Sequence, residues 1–187
     1  MLRGLSLLTL WVACSPNIEA EFPEVEVTYP NLEAPAYIAI PNVPADPQIT
    51  LSFELDSRNI GASALPANQK RFQAATIYQV TLTATSGVSD LSFIRKLRIV
   101  AELPASNQVP TAPTPKIEIG NYERQGDAPI GPVFTFPLPV PVDILPLIRP
   151  SQSDQRKIIV TITAGGTLPN VGWTADVVMR LSARFKD

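Results

Sequence analysis

The side chains able to carry chemistry in this chain are a set of carboxylates, a few cations and one thiol. Histidine is absent from all 187 residues, which removes the commonest general base and the commonest transition-metal ligand together. A serine–histidine or cysteine–histidine nucleophile is thereby excluded. With one cysteine, Cys14, the chain forms no internal disulfide and no thiolate zinc cluster. The sequence holds neither a GxGxxG nor a Walker-type phosphate loop, no G-x-S-x-G elbow, and no aspartate-rich calcium loop. What survives elimination is carboxylate chemistry. Glu54 and Asp56 lie two residues apart on one face of an alternating segment, and Asp143 and Asp176 lie beside apolar neighbours. A glycosidase needs two carboxyls across a cleft, one with a raised pKa. Nothing in the spacing singles out such a pair, and acids of this kind are ordinarily solvated surface groups. The expectation is a protein that is not an enzyme, with no metal and no cofactor.

The cations give the second candidate. Lys96 and Arg98, joined by Arg180, Arg184 and Lys186, are expected to line one basic sheet face, a possible binding face for an acidic partner or anionic glycan. The plainer alternative is a wet sheet face whose charges guard its edges. Net charge is −2, unevenly spread. Residues 1 to 57 hold eight acids and the single base Arg3, whereas the remainder holds fourteen bases and nine acids. So mild an excess is far from a nucleic-acid footprint, and no nucleic-acid partner is expected.

The elements that must position these groups read as strands. Proline is abundant and glycine scarce, 20 against 9, which favours short strands and stiff loops over helices. From residue 48 the hydrophobic period is two. Ile49, Leu51, Phe53 and Leu55 share one face; so do Tyr78, Val80, Leu82 and Ala84, and Ile158, Val160 and Ile162. The clearest face runs through Trp173, Ala175, Val177, Met179, Leu181, Ala183 and Phe185. In residues 89 to 103 a turn is expected to tuck in Phe93 and Ile94 before a strand with Leu97, Ile99 and Ala101 inward and Lys96 and Arg98 outward. "KIEIGNY" and "VFTFPLPV" give further short strands, and "VDILPLI" one turn of helix. "AGGTLPNVGW" is taken as the connection of a C-terminal hairpin. The seven prolines between Pro129 and Pro150 confine that segment to an edge strand, a sheet switch or a long loop; a recognition strip is its functional alternative. One-sided strands of this kind form antiparallel sheets with one wet face. Seven to nine of them predict an all-β, antiparallel β-sandwich of immunoglobulin-like type, with a closed barrel as the alternative. Charged outward faces argue against a membrane barrel.

The amino-terminal stretch reads differently. Arg3 is followed by the apolar run Leu5, Leu7, Leu8, Leu10, Trp11 and Val12, then Ala13, Cys14 and the polar Ser15, Pro16 and Asn17. That is a signal-peptide layout, and the run is far short of the ~20 residues that span a bilayer as a helix. "WVAC" at residues 11 to 14 resembles the lipobox of bacterial lipoproteins. The resemblance implies cleavage before Cys14, diacylglycerol on its sulfur and acylation of the new amino terminus. Two or three acyl chains of this kind hold a protein on a membrane stably. Ser15, in place of the aspartate that retains many such proteins in the inner membrane, implies outer-membrane placement.

The expected organisation is therefore a signal peptide at 1–13, a lipid anchor with a proline-rich acidic spacer and edge strands at 14–47, and a single β-sandwich domain at 48–187. The expected role is that of a lipid-anchored, non-catalytic envelope protein that binds or scaffolds, with an envelope protein or glycan as partner. The alternatives are a carrier of an apolar ligand between the sheets and a carbohydrate-active enzyme using Asp and Glu alone.

Overall fold

A computed structural model describes residues 19–38, 47–56, 71–104, 116–148 and 157–186. Nine strands and one helical turn follow in chain order: β1 (Glu19–Ala34), β2 (Gln48–Asp56), β3 (Arg71–Ser86), β4 (Ile94–Glu102), β5 (Lys116–Glu123), β6 (Val133–Phe136), β7 (Val142–Asp143), α1 (Leu145–Ile148), β8 (Lys157–Gly166) and β9 (Trp173–Lys186). They form two sheets. The first has the order β1-β9-β3-β6, with β7 also paired to β3; the second is β2-β8-β4-β5. Every pairing is antiparallel. The fold is an all-β sandwich.

Alternation explains why the sheets stack. Ile49, Leu51, Phe53 and Leu55 of β2 are buried between exposed or half-exposed neighbours. The same holds for Ile158, Val160 and Ile162 of β8 and for Trp173 through Ala183 of β9. Each large side chain removed from water contributes about 1.5–3 kcal/mol, and only a facing sheet can cover a whole row. The two sheets accordingly share one core cluster. Aromatic rings close its flanks. Tyr29 of β1 packs on Phe53 of β2 with ring centroids 4.2 Å apart. At the opposite flank Tyr122 of β5 meets Phe134 and Phe136 of β6 at 5.0 and 6.3 Å.

Four departures from simple alternation have physical causes. In β4 the register slips between Ile94, opposite Gly166, and Lys96, opposite Gly165. Arg95 is the extra residue, so Ile94 and Leu97 both point inward although three positions apart. In β3 the middle one of three slips against β9 falls between Ile77 and Gln79. Tyr78 therefore does not share the inward face of Val80 and Leu82; Ala75 and Ile77 occupy it instead. β1 is longer than the alternation of residues 24 to 29 suggests. Its register slips between Phe22 and Val25 and again between Tyr29 and Leu32, which absorbs Pro23 and Pro30 where no ladder hydrogen bond is required. The second slip carries Asn31 at φ 52°, with its backbone N–H donating to Asp176 Oδ1 at 2.8 Å.

The fourth departure is topological. Residues 167 to 172 do not close a hairpin, because β8 belongs to one sheet and β9 to the other. Gly166, at φ 142°, lets the chain leave β8; a Cβ there would lie 2.2 Å from the Phe93 carbonyl oxygen. The proline-rich segment supplies the four-residue edge strand β6, the short β7 and α1. Asp143 Oδ1 accepts the Leu145 N–H at 2.9 Å and so caps that turn. Past β1, residues 35 to 38 are not in a strand.

Candidate functional site

The basic face expected from the sequence is divided. Lys96 and Arg98 project from the outer face of β4 in the second sheet, whereas Arg180 and Arg184 lie on the outer side of β9 in the first. The two pairs stand on opposite sides of the sandwich, because the chain crosses between sheets at residues 167 to 172. Cys14, the candidate lipid attachment point, lies outside the described residues.

Each pair keeps local company. Arg98 Nε donates to Glu118 Oε2 at 2.8 Å, and its Nη2 lies 2.7 Å from the same oxygen. Arg180 Nε reaches Glu26 Oε2 at 3.2 Å, and Glu24 is 3.7 Å away. Such exposed pairs contribute about 0.2–1 kcal/mol each, so their value lies in fixing side-chain positions. The carboxylates considered for catalysis are also engaged. Glu54 pairs with Lys157 at 2.7 Å, Asp143 caps α1, and Asp176 accepts the Asn31 N–H. Among the described residues no group of three His, Cys, Asp or Glu is placed to hold a metal ion.

The outer face of β2-β8-β4-β5 is where polar groups converge on concave surface. One depression, of about 240 Å³, is lined by Gln48, Lys96, Leu97, Arg98, Asn121, Thr163 and Gly165. Gly165 is its floor: it lies opposite both Gln48 and Lys96 in register, and a Cβ there would sit 3.6–3.8 Å from Pro47, Lys96 and Gln48. A second depression, of about 300 Å³, continues along the face between Arg98, Val100, Glu102, Lys116, Glu118 and Thr161. Arg98 borders both. Lys116 pairs with Glu102 at 2.6 Å, and Ser52 shares a hydrogen bond of 3.3 Å with Thr161. Hydroxyl and amide groups that donate and accept, set among paired charges, suit recognition of a polar surface. Glu118, Lys116 and Thr161 carry this face and were not singled out from the sequence. The available signal was the Lys-Ile-Glu alternation at 116 to 118, which acquires meaning only when the β4–β5 register sets it beside Arg98 and Glu102.

A second polar assembly ties down one end of the sandwich. Asp90 Oδ1 accepts the Ser92 N–H at 2.8 Å, the Ser92 hydroxyl at 2.6 Å and the Gly131 N–H at 2.9 Å. The Ser92 hydroxyl accepts the Ile130 N–H at 2.8 Å. The Arg124 guanidinium donates to the carbonyls of Ser92 and Ala128, and Arg95 pairs with Asp127 at 2.6 Å. These bonds strap the β5–β6 connection onto the β3–β4 turn. They hold the Asp90 carboxyl below the usual aspartate range, the Ser92 hydroxyl first, then the Ser92 N–H, with burial opposing. Tyr29 behaves in the opposite way. Its hydroxyl is buried with no hydrogen-bond partner among the described residues, and burial first, then the negative charges of Asp56 and Glu54, raise its pKa far above the ordinary tyrosine value.

The class defined by this architecture is a two-sheet, all-β sandwich with a polar concave outer face. Compared with known protein families and with curated proteins, the chain matches none. Among the described residues no helix is long and apolar enough to cross a membrane.

Proposed function

We propose that this chain is a lipid-anchored, non-catalytic protein of the bacterial envelope, held at the outer membrane through Cys14 and acting by binding or scaffolding. The observation that supports the binding role is the outer face of β2-β8-β4-β5. Its two contiguous depressions are lined by hydroxyl, amide and ion-paired side chains, an equipment for recognition of an envelope protein or glycan. The anchor is supported by the basic, apolar, small-residue and cysteine order of residues 3 to 14.

Two variants test the two halves. Cys14→Ser is expected to abolish incorporation of labelled fatty acid and to release the protein from membranes; unchanged membrane retention refutes the anchor. Thr161→Lys places a long cation in the second depression while leaving the strand alternation intact. It is expected to remove partners that copurify with the lipidated protein from its own membrane. An unchanged partner set refutes this face as the binding surface.

A further inference from the structure

We infer that the outer edge of β2 pairs with the same edge of a second copy of this chain, joining two four-stranded sheets into one continuous sheet. β2 differs from every other sheet edge. β1 carries Pro23 and Pro30 at its two register slips, β5 is broken by a slip, and β6 and β7 are four and two residues long. β2 runs from Gln48 to Asp56 without a proline, in nine consecutive pairs with β8 and no slip. Among the described residues no strand lies on its other side. An unbroken edge of this kind is a template for an incoming strand.

The sequence of β2 fits its own copy. In an antiparallel pair with Ser52 opposite Ser52 of the second copy, all nine residues find a partner. Gln48 then meets Asp56, Thr50 meets Glu54, Ile49 meets Leu55 and Leu51 meets Phe53. Opposed residues share a face, so the buried row meets a buried row and the wet row a wet one. Each acid lies opposite an uncharged donor, the Thr50 hydroxyl or the Gln48 amide, and like charges meet nowhere along the pair. Glu54 is also answered within its own chain by Lys157 at 2.7 Å. Sliding the copies by two residues in either direction leaves two positions of each strand unpaired. Nine residues in register make roughly eight to ten main-chain hydrogen bonds, against ~10 in a typical specific interface.

The same flank holds an unmet donor. Tyr29 packs on Phe53, feels the charges of Asp56 and Glu54, and its buried hydroxyl has no hydrogen-bond partner among the described residues. A strand added to β2 brings a row of carbonyls to that flank, the kind of acceptor a buried hydroxyl ordinarily has. Because opposed residues share a face, the two-fold axis stands perpendicular to the sheet, and the outer faces of both copies point the same way. The face proposed above to bind a partner stays open in the pair. Its first depression, which Gln48 helps to line, runs up to the junction in each copy. The pairing does not depend on the lipid anchor.

The test uses the full chain in mild detergent, followed by sedimentation velocity over a range of concentrations. A dimer that dissociates on dilution is expected. Thr50→Glu sets an acid against Glu54 in both halves of the pair and should raise the dimer dissociation constant several-fold, whereas Thr50→Lys, which offers Glu54 a cation, should not. Position 50 is exposed, so circular dichroism should report the same fold for both variants. Ser52→Cys, on the axis, should give on mild oxidation a disulfide from residue 52 to residue 52, identified by mass spectrometry of the linked peptides. Thr161→Cys is the control: it lies opposite Ser52 on β8, three strand spacings or roughly 14 Å from its counterpart, beyond disulfide reach, and should give no such link. A chain that stays monomeric, a dimer indifferent to Thr50→Glu, or residue 52 linked no more readily than residue 161 overturns the inference.

Discussion

Replacing Gly120 by alanine tests the packing between the two outer strands β5 and β6. Gly120 lies opposite Ile99, one step past a register slip in which Ile119 is the extra residue. A Cβ at position 120 would come within 2.4 Å of Phe136 Cε1, 3.0 Å of Phe136 Cζ and 3.1 Å of Leu138 Cδ2. Phe136 cannot swing away cheaply. It is 2 % exposed and held edge-on by Tyr122 and Phe134, with centroids 6.3 and 6.4 Å away. Forcing a methyl into a packed core costs about 1–3 kcal/mol. For a domain of this size that lowers the melting temperature by roughly 2–10 °C. The assay is a double-mutant cycle by urea unfolding. Phe136→Leu alone costs about 1–2 kcal/mol for the volume lost, but it also clears the atoms that the new methyl meets. Gly120→Ala in the Phe136→Leu background should therefore cost at least ~1 kcal/mol less than in the wild type. Equal costs in both backgrounds would refute the claim that the ring of Phe136 is what demands glycine at position 120.

Three further outcomes follow from the same structure. Val177→Asp or Leu181→Asp buries an unpaired carboxylate at positions of 0 % exposure and should prevent folding, whereas Asp176→Asn, which keeps an acceptor for the Asn31 N–H, and Arg180→Ala, which loses only exposed pairs, should leave far-UV circular dichroism and melting nearly unchanged; equal tolerance at all four sites would show the alternation of β9 to be misplaced. Because the Asp90 carboxyl is held below its ordinary pKa, its contribution is complete above the unfolded value of ~3.9 and fades as pH falls through the lower folded value. Asp90→Asn should thus be less stable than wild type at neutral pH and converge with it in strong acid; a gap that does not depend on pH contradicts the assignment. The raised Tyr29 pKa acts on the alkaline side: stability is whole below the unfolded tyrosine value of ~10 and declines above it as the unfolded state ionises first. Tyr29→Phe, which also deletes a buried hydroxyl without a partner, should flatten that alkaline decline without loss of stability at pH 7, as followed by chemical denaturation.

Regular alternation was legible because one-sided burial writes itself into every second residue. The inward rows of β2, β8 and, as far as Ala183, β9 appear in the structure as the sequence spaces them. The bulge of β4 reads in the sequence as a turn that ends at Arg95 before a strand from Lys96; the strand instead starts at Ile94, and Arg95 is an extra residue within it. In β3, Tyr78 is apolar enough to pass for an inward residue, so the slip beside it left no mark. The connection from β8 to β9 was misread for a different reason. Glycine, proline and asparagine mark a change of direction, but they do not say whether the next strand pairs with the last or crosses to the facing sheet. The crossing puts Lys96 and Arg98 on one sheet and Arg180 and Arg184 on the other. The charge partners of the outer face, Glu118 for Arg98 and Lys116 for Glu102, depend on register between strands, which the sequence of either strand alone does not contain.

The abundance of proline acquires a physical reason from the sheet edges. Among the described residues five strands are edges of the two sheets: β1, β6 and the two-residue β7 in one, β2 and β5 in the other. An exposed edge is a template for another chain unless its ladder is interrupted. β1 carries Pro23 and Pro30 at its two slips, and proline has no N–H to offer an incoming strand. β6 is only four residues long and lies between Pro132 and Pro137. β5 is broken by its own bulge and sided by Lys116, Glu118 and Glu123. β2 alone keeps nine consecutive pairs without a slip; there Glu54 and Asp56 put charge on the strand, and Tyr29 covers its Phe53 from the other sheet. Prolines spaced through the acidic arm resemble a stiff spacer when read as composition. Over residues 19 to 34 they are the interruptions of a bonded edge strand, and a strand bonded along its length cannot also serve as slack between a membrane and a domain.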